Sequence, residues 1–178
     1  MSSITPEELL NKYSDMAYAL ALRLTGNAAE AEDLAEEALI KAVRGLPGFR
    51  GDSDAGIWVY KIVMNCWKNQ LRSPRLAFWR KLRGFYSADS EEQVVDPPDP
   101  APGPGARLEA AARSEAFEKA MASLEPQDRA ILILRELDGR SYSEIAEIIA
   151  VPAGTVRSRL SRAREKMRGL LRGLLEEK

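Results

Sequence analysis

Apolar residues recur every three or four positions along most of the chain, and the runs are broken by glycine, proline and small polar residues. That spacing predicts amphipathic helices throughout. Leu9, Tyr13, Met16, Leu20 and Leu24 share one face of a first helix. Thr5, Pro6 and Glu8 supply its N-cap, its first-turn proline and a capping-box acid, and Gly26 stops it. Asn27 and Glu30 open a second helix whose apolar face is Ala31, Leu34, Ala35, Ala38, Leu39, Ala42 and Leu46, ended by Pro47-Gly48. After a loop from Phe49 to Gly56, a third helix is expected from about Ile57 to Leu71. Trp58 and Tyr60 lie at helical spacing within it, and Trp58 reads as core.

The pattern fails over residues 87–106, where five prolines and five acids stand with no aromatic residue. So little apolar surface cannot offset the entropy of ordering, and an extended linker is expected. Helical spacing resumes near Leu108 and runs to about Ser123; Pro126 begins another helix that ends at Asp138-Gly139. The fold expected is all-α, with two small helical domains at 1–86 and 108–178 joined by a flexible linker at 87–107. Each half is under a hundred residues, so each core is small and docking on a partner would add to its stability.

Within the second half, Ser141 and Glu144 form a capping box before a short helix with Ile145, Ala146, Ile148 and Ile149, ending at Ala150-Val151. Pro152-Ala153-Gly154 is expected to supply a turn, and a longer helix follows from Thr155 to Arg168. Val156, Leu160, Ala163, Met167, Leu170 and Leu174 form its core-facing stripe, which leaves Arg157, Ser158, Ser161, Arg162 and Arg164 on the outside or flanks. Two helices, a tight turn and a basic outer face make a helix-turn-helix, whose second helix enters the DNA major groove. Arginine suits that position because its planar fork grips guanine edges or phosphates through two hydrogen bonds.

Charge changes the picture through its distribution, since the formal net charge is only −1. Residues 1–54 carry ten acids and five bases, whereas residues 55–86 carry seven bases and no acid. Residues 152–172 carry seven bases and one acid, Glu165. Blocks of this kind suit partners of opposite sign on separate surfaces. The 178 residues include no histidine and one cysteine, Cys66, so the commonest acid–base group is absent and no internal disulfide can form. With no Gly-rich phosphate loop and no ligand cluster, an enzyme is not expected, and neither is a metal or other cofactor. The N-terminal residues lack the form of a signal peptide and no apolar run is long enough to span a membrane, so a cytoplasmic protein without direct membrane insertion is expected.

The stretches Leu137–Ala146 and Pro152–Arg164 together resemble region 4 of an extracytoplasmic-function (ECF) sigma factor of the sigma-70 family, in particular the envelope-stress sigma-E group. The resemblance implies that the last helix reads the −35 promoter element, with Arg157, Ser158 and Arg162 as leading contacts, Thr155 and Arg159 in support, and Ser161 where that group can carry a bulky aromatic. Residues 29–42 resemble region 2.2, whose acidic helix docks on the polymerase β′ clamp. Asp33, Leu34, Glu36, Glu37 and Lys41 take the docking positions, Glu36 standing where the family often has glutamine. Phe49–Ser53 and Trp58–Leu71 resemble regions 2.3 and 2.4, which capture an unstacked −10 base. Phe49, Ile62 and Asn65 match the pocket, the loop with Asp52 and Ser53 closes it, and Lys61, Lys68 and Arg72 would meet phosphates. The implied protein is a sigma factor that binds core RNA polymerase at the β′ clamp and β flap, reads −35 and −10 promoter DNA, and answers to a cognate anti-sigma factor. For the linker, a plain spacer and an acidic stand-in for RNA in the polymerase channel are equal accounts. A polymerase adaptor and a stand-alone helix-turn-helix repressor are the rival readings, opposed by the arginine face and by the acidic helix with Asn65 respectively.

Overall fold

A computed structural model describes residues 4–49, 54–73 and 104–176. They form seven α-helices: α1 (Pro6–Thr25), α2 (Ala28–Gly45), α3 (Ala55–Arg72), α4 (Pro104–Ser123), α5 (Pro126–Leu132), α6 (Tyr142–Ile149) and α7 (Ala153–Glu176). A 3-10 turn at Leu46–Gly48 follows α2, and no strand occurs among the described residues. Most of the expected linker, with Asp52 and Ser53, lies outside the described residues.

The first module packs α1, α2 and α3 on one another. Its starts are fixed by side chains. The Thr5 hydroxyl accepts from the Glu8 amide while the Glu8 carboxylate accepts from the Thr5 amide, a complete capping box. Asn27 Oδ1 accepts from the Glu30 amide, and Asp54 Oδ1 accepts from the amides of Gly56 and Ile57. From α1 the core receives Leu9, Tyr13, Ala17, Leu20 and Leu24; from α2, Ala31, Leu34, Ala35, Ala38 and Ala42. The run of alanines on α2 lets its backbone lie close to larger neighbours, and α3 supplies many of these: Ile57, Val59, Tyr60, Val63, Met64 and Trp67. At roughly 1.5–3 kcal/mol for each large apolar side chain, burial is the main force holding the bundle.

In the second module α4, α5 and α6 all pack against α7. Val156, Leu160, Ala163 and Met167 are buried as the spacing predicts, with Leu170 and Leu174 partly covered. Helix α4 begins four residues before the expected start. The end of α5 widens into a π turn over Ile133–Leu137, closed by the Asp138 amide donating to the Ile133 carbonyl at 3.0 Å. Gly139, at φ +64°, then reverses the chain into Arg140 and the Ser141 cap of α6.

The turn between α6 and α7 differs from the expectation. Ala150 itself takes the left-handed conformation, at φ +57°, and its amide bonds the Ala146 carbonyl. Pro152 is then the last residue before α7, so Ala153 and Gly154 lie in the helix's first turn. Proline at that edge lacks only an amide hydrogen that would have had no helical partner, which is why the helix starts so early. Because an L-side chain in the left-handed region is strained by ~1 kcal/mol, Ala150→Gly should raise stability by about 0.5–1 kcal/mol. Urea denaturation followed by circular dichroism measures the shift.

Candidate nucleic-acid interface

Helix α3 divides its circumference in two. One side is buried in the core. Along the other run Trp58, Lys61, Ile62, Asn65, Lys68, Asn69 and Arg72, of which Asn65, Asn69 and Arg72 are exposed and the rest partly so. They recur at the i, i+3, i+4, i+7 spacing of one helix face, so they form a continuous stripe. It combines a flat aromatic, an aliphatic side chain, amides and three cations. These are the residue types that stack a base, read its edge and neutralise phosphates.

At the head of the stripe Phe49 packs on Trp58, with ring centroids 4.7 Å apart and planes tilted by 30°. Gly45 makes room for the indole: a Cβ there would lie 3.2 Å from it. Tyr60 is buried as expected for a core aromatic, but Trp58 is not fully so. It sits at the rim of the core and shares an edge with Phe49. It packs against the core as expected but only in part, because helical spacing puts Trp58 beside the core stripe and the Phe49 loop decides which side its ring leans to. Further along, burial pushes the Lys68 amine down in pKa, and the charges of Arg72 and Arg159 push it further. Arg159 belongs to α7, so the second module adds its charge to that of this stripe.

The cations of α7 fall into two sets. Arg164 gives two hydrogen bonds to Glu136 Oε1, at 2.9 and 2.6 Å, and Lys166 pairs with Asp128 at 2.5 Å. Both are spent on holding α7 to α5 and the π turn. Arg157 and Arg162 are exposed with no ion pair among the described residues, and Ser158 and Ser161 are exposed between them. Ser158 donates to the Thr155 carbonyl at 3.1 Å; Thr155 and Arg159 are half-buried on the flank. The outer face of the first two turns of α7 is therefore cationic and unobstructed.

On α2, Asp33 and Glu36 are exposed, while Glu37 accepts from Lys41 at 2.6 Å and from Gln70 of α3 at 3.3 Å. The bond from Lys41 is the main reason the Glu37 carboxyl lies below its ordinary pKa. Leu34 is wholly buried, so any part it has in docking is indirect, through the setting of the helix. Sequence reasoning missed Ile40, which is 43% exposed on the same side as Asp33 and Glu37. The signal was present: an isoleucine seven residues after Asp33, on the polar side of the helix.

Comparison with known proteins identifies the two modules. Residues 9–76 match the family model described as sigma-70 region 2, and residues 114–167 match sigma-70, region 4. The RNA polymerase sigma-H factor of Pseudomonas aeruginosa is 36% identical over 177 residues, spanning 95% of this chain and 87% of that protein. The chain belongs to the sigma-70 family. The ECF RNA polymerase sigma-E factor of Escherichia coli is 39% identical over 139 residues, 75% of this chain and 69% of the relative. Among solved structures, the sigma factor RpoE of Bartonella quintana, crystallised with the anti-sigma factor NepR, superposes with a TM-score of 0.67 at 26% identity, covering 93% and 96% of the two chains. This chain is thus an ECF sigma factor, built from regions 2 and 4, and its role is promoter-specific transcription initiation. Among the described residues, no helix of the sigma factor is long and apolar enough to cross a membrane.

The helix-turn-helix of region 4 depends on Glu144, whose carboxylate accepts from the Ser141 amide at 2.8 Å and from Arg140 at 3.0 Å. The backbone bond from Ser141 is the largest cause of its pKa falling to about 2. A carboxyl lowered in this way stabilises the fold above its unfolded pKa, near 4.5, and the benefit disappears as pH falls toward 2. Glu144→Gln should therefore flatten the acid destabilisation in that window by on the order of 1 kcal/mol, after allowance for solvent screening. Denaturation midpoints collected between pH 5 and pH 2 test this, since wild type and variant should converge at the acid end.

Proposed function

We propose that the sigma factor engages its promoter and polymerase through three surfaces: the acidic side of α2 for core polymerase, the outer stripe of α3 for the −10 element, and the outer face of α7 for the −35 element. The observation that carries the reading is the split circumference of α3, with one side committed to the core and the other carrying Asn65, Ile62 and three cations, of which Lys61 is paired with Glu147 of α6. Trp58 joins Phe49 as a wall against which an unstacked base can lie, and Asn65 reads its edge. Asp52 and Ser53 belong to the loop that closes this pocket. Arg157 and Arg162, with Ser158 and Ser161 between them, enter the major groove, while Lys68, Arg72 and Arg159 track phosphates.

For polymerase docking, Asp33 and Glu36 form an acidic rim around the apolar Ile40. A charged rim about an apolar centre suits a protein partner: the charges steer the approach and the centre supplies buried area. The partner is the β′ clamp, with the β flap taken by region 4. Residues 1–86 and 108–178 act as the two domains on either side of the 87–107 linker, and the protein works in the cytoplasm as a binding subunit without chemistry of its own. The Bartonella relative was crystallised with an anti-sigma factor, and a cognate anti-sigma factor is proposed here on that likeness.

Run-off transcription with purified core polymerase tests the whole reading, and absence of a defined start site refutes it. Asp33→Lys with Glu36→Lys should lower affinity for core polymerase at least tenfold without loss of helicity, as each reversal sets like charge against a basic partner. Retention on immobilised core polymerase measures this. Arg157→Ala with Arg162→Ala should cost about 2–4 kcal/mol of −35 discrimination, so that transcription from an intact promoter falls to the level of one with a scrambled −35 element.

A further inference from the structure

Glycine stands at the end of α2 without a backbone reason. Gly45 has φ −81° and ψ −12°, ordinary helical values that any residue adopts. It is exposed, and glycine weakens a helix relative to alanine. By contrast Gly26 and Gly139, at φ +66° and +64°, are required by their conformation. What requires glycine at position 45 is the indole beside it. A Cβ there would lie 3.2 Å from Trp58 Cζ2 and 3.8 Å from Cη2, whereas one on Gly48, Gly154, Gly169 or Gly173 would meet nothing within 4 Å.

Both ends of one short segment touch this indole. Gly45 borders its benzo edge, and Phe49 packs on the ring with centroids 4.7 Å apart. Between the two lies the 3-10 turn Leu46–Gly48, closed by the Phe49 amide donating to the Leu46 carbonyl at 3.0 Å. That turn brings Phe49 back to Trp58. Both rings are half-buried, so the contact belongs to the rim of the core rather than its centre. One helical turn further along the same stripe stands Ile62, and then Asn65.

We propose that Gly45 is a positioning residue for −10 recognition: by leaving room for the indole it fixes the seat of Trp58 against Phe49, and so the wall on which the unstacked base lies. The inference rests on the −10 role proposed for α3. A methyl group at position 45 makes its neighbour give by a few tenths of an ångström. Trp58 is carried by a helix locked in the core, so its ring turns rather than its backbone. Were the indole to hold, the end of α2 would lift instead and take the turn and Phe49 with it. Either movement disturbs the pair. Recognition groups work only when held within about 0.5 Å of their productive geometry, so a stacked base feels such a shift more than the fold does.

Gly45→Ala is the informative variant, because helix propensity and base capture respond to it in opposite directions. Alanine should not lower the melting temperature. Holoenzyme formed with core polymerase is titrated, by fluorescence anisotropy, with a single-stranded non-template −10 oligonucleotide and with versions carrying one abasic site at each position in turn. For wild type, removing the captured base should weaken binding about tenfold. Gly45→Ala should weaken binding of the intact strand about three- to tenfold and leave the strand without that base unaffected, so the abasic penalty shrinks by the same factor. Trp58→Phe removes the benzo edge that faces position 45; in its presence Gly45→Ala should cost nothing further. An undiminished abasic penalty, an equal loss on intact and abasic strands, or an additive double variant would each overturn the role of Gly45 and leave −10 capture standing. A wild type with no abasic penalty at any position would bring down the −10 reading itself, and the role of Gly45 with it.

Discussion

Burial of one side of α3 is the constraint on which the rest of the molecule depends. Val59, Tyr60, Val63, Met64, Cys66 and Trp67 lock the helix against α1 and α2, and a helix so held cannot rotate. Its other side is consequently presented at a fixed angle, which is what the proposed capture of a mobile single strand requires. Core and proposed ligand stripe are one design: a helix held this way orders its outer groups before any ligand arrives, so less entropy is lost on binding. Region 4 repeats the arrangement. The Val156–Met167 stripe pins α7, while Glu136 and Asp128 tie down the distal cations and leave Arg157 and Arg162 to project.

Both modules are small, and small modules leave little stability in reserve. Their buried apolar residues form one connected set through both regions. Contact between them therefore adds to the stability of each, although the polar part of the interface is poorly satisfied. The outcome is a pair of domains that stabilise each other through apolar contact while part of the polar contact between them stays unsatisfied.

Much of this was legible in the residues. Capping signals at Thr5, Asn27 and Ser141 located three helix starts, and the 4-3-4-3-4 stripe of α7 was read directly from Val156 to Leu174, because periodicity reports burial wherever one face meets a core. The limits are equally physical. Trp58 packs on the core only in part, because a residue at the edge of a stripe is decided by a loop rather than by the period. Gly154 was given to the turn on composition, whereas strain was instead accepted at Ala150, and no local rule foretells a left-handed alanine. The sorting of arginines into structural and available sets needs partners on other helices, which spacing along one helix cannot supply. Ile40 could have been found, since it broke the polar side of an otherwise regular pattern.

The π turn at Ile133–Leu137 carries a consequence for how such chains diversify. A helix widened in this way holds one residue more than an ordinary α-turn. Deleting that surplus residue would restore normal pitch while leaving the residues on either side near their present faces, because the wide turn is what absorbs the extra residue. The same deletion from a regular stretch of helix would swing everything after it by about 100°. This segment is thus a place where the chain tolerates a change of one residue with Asp138 still directed at Arg23, and relatives differing by one residue here should keep the same tie between their halves.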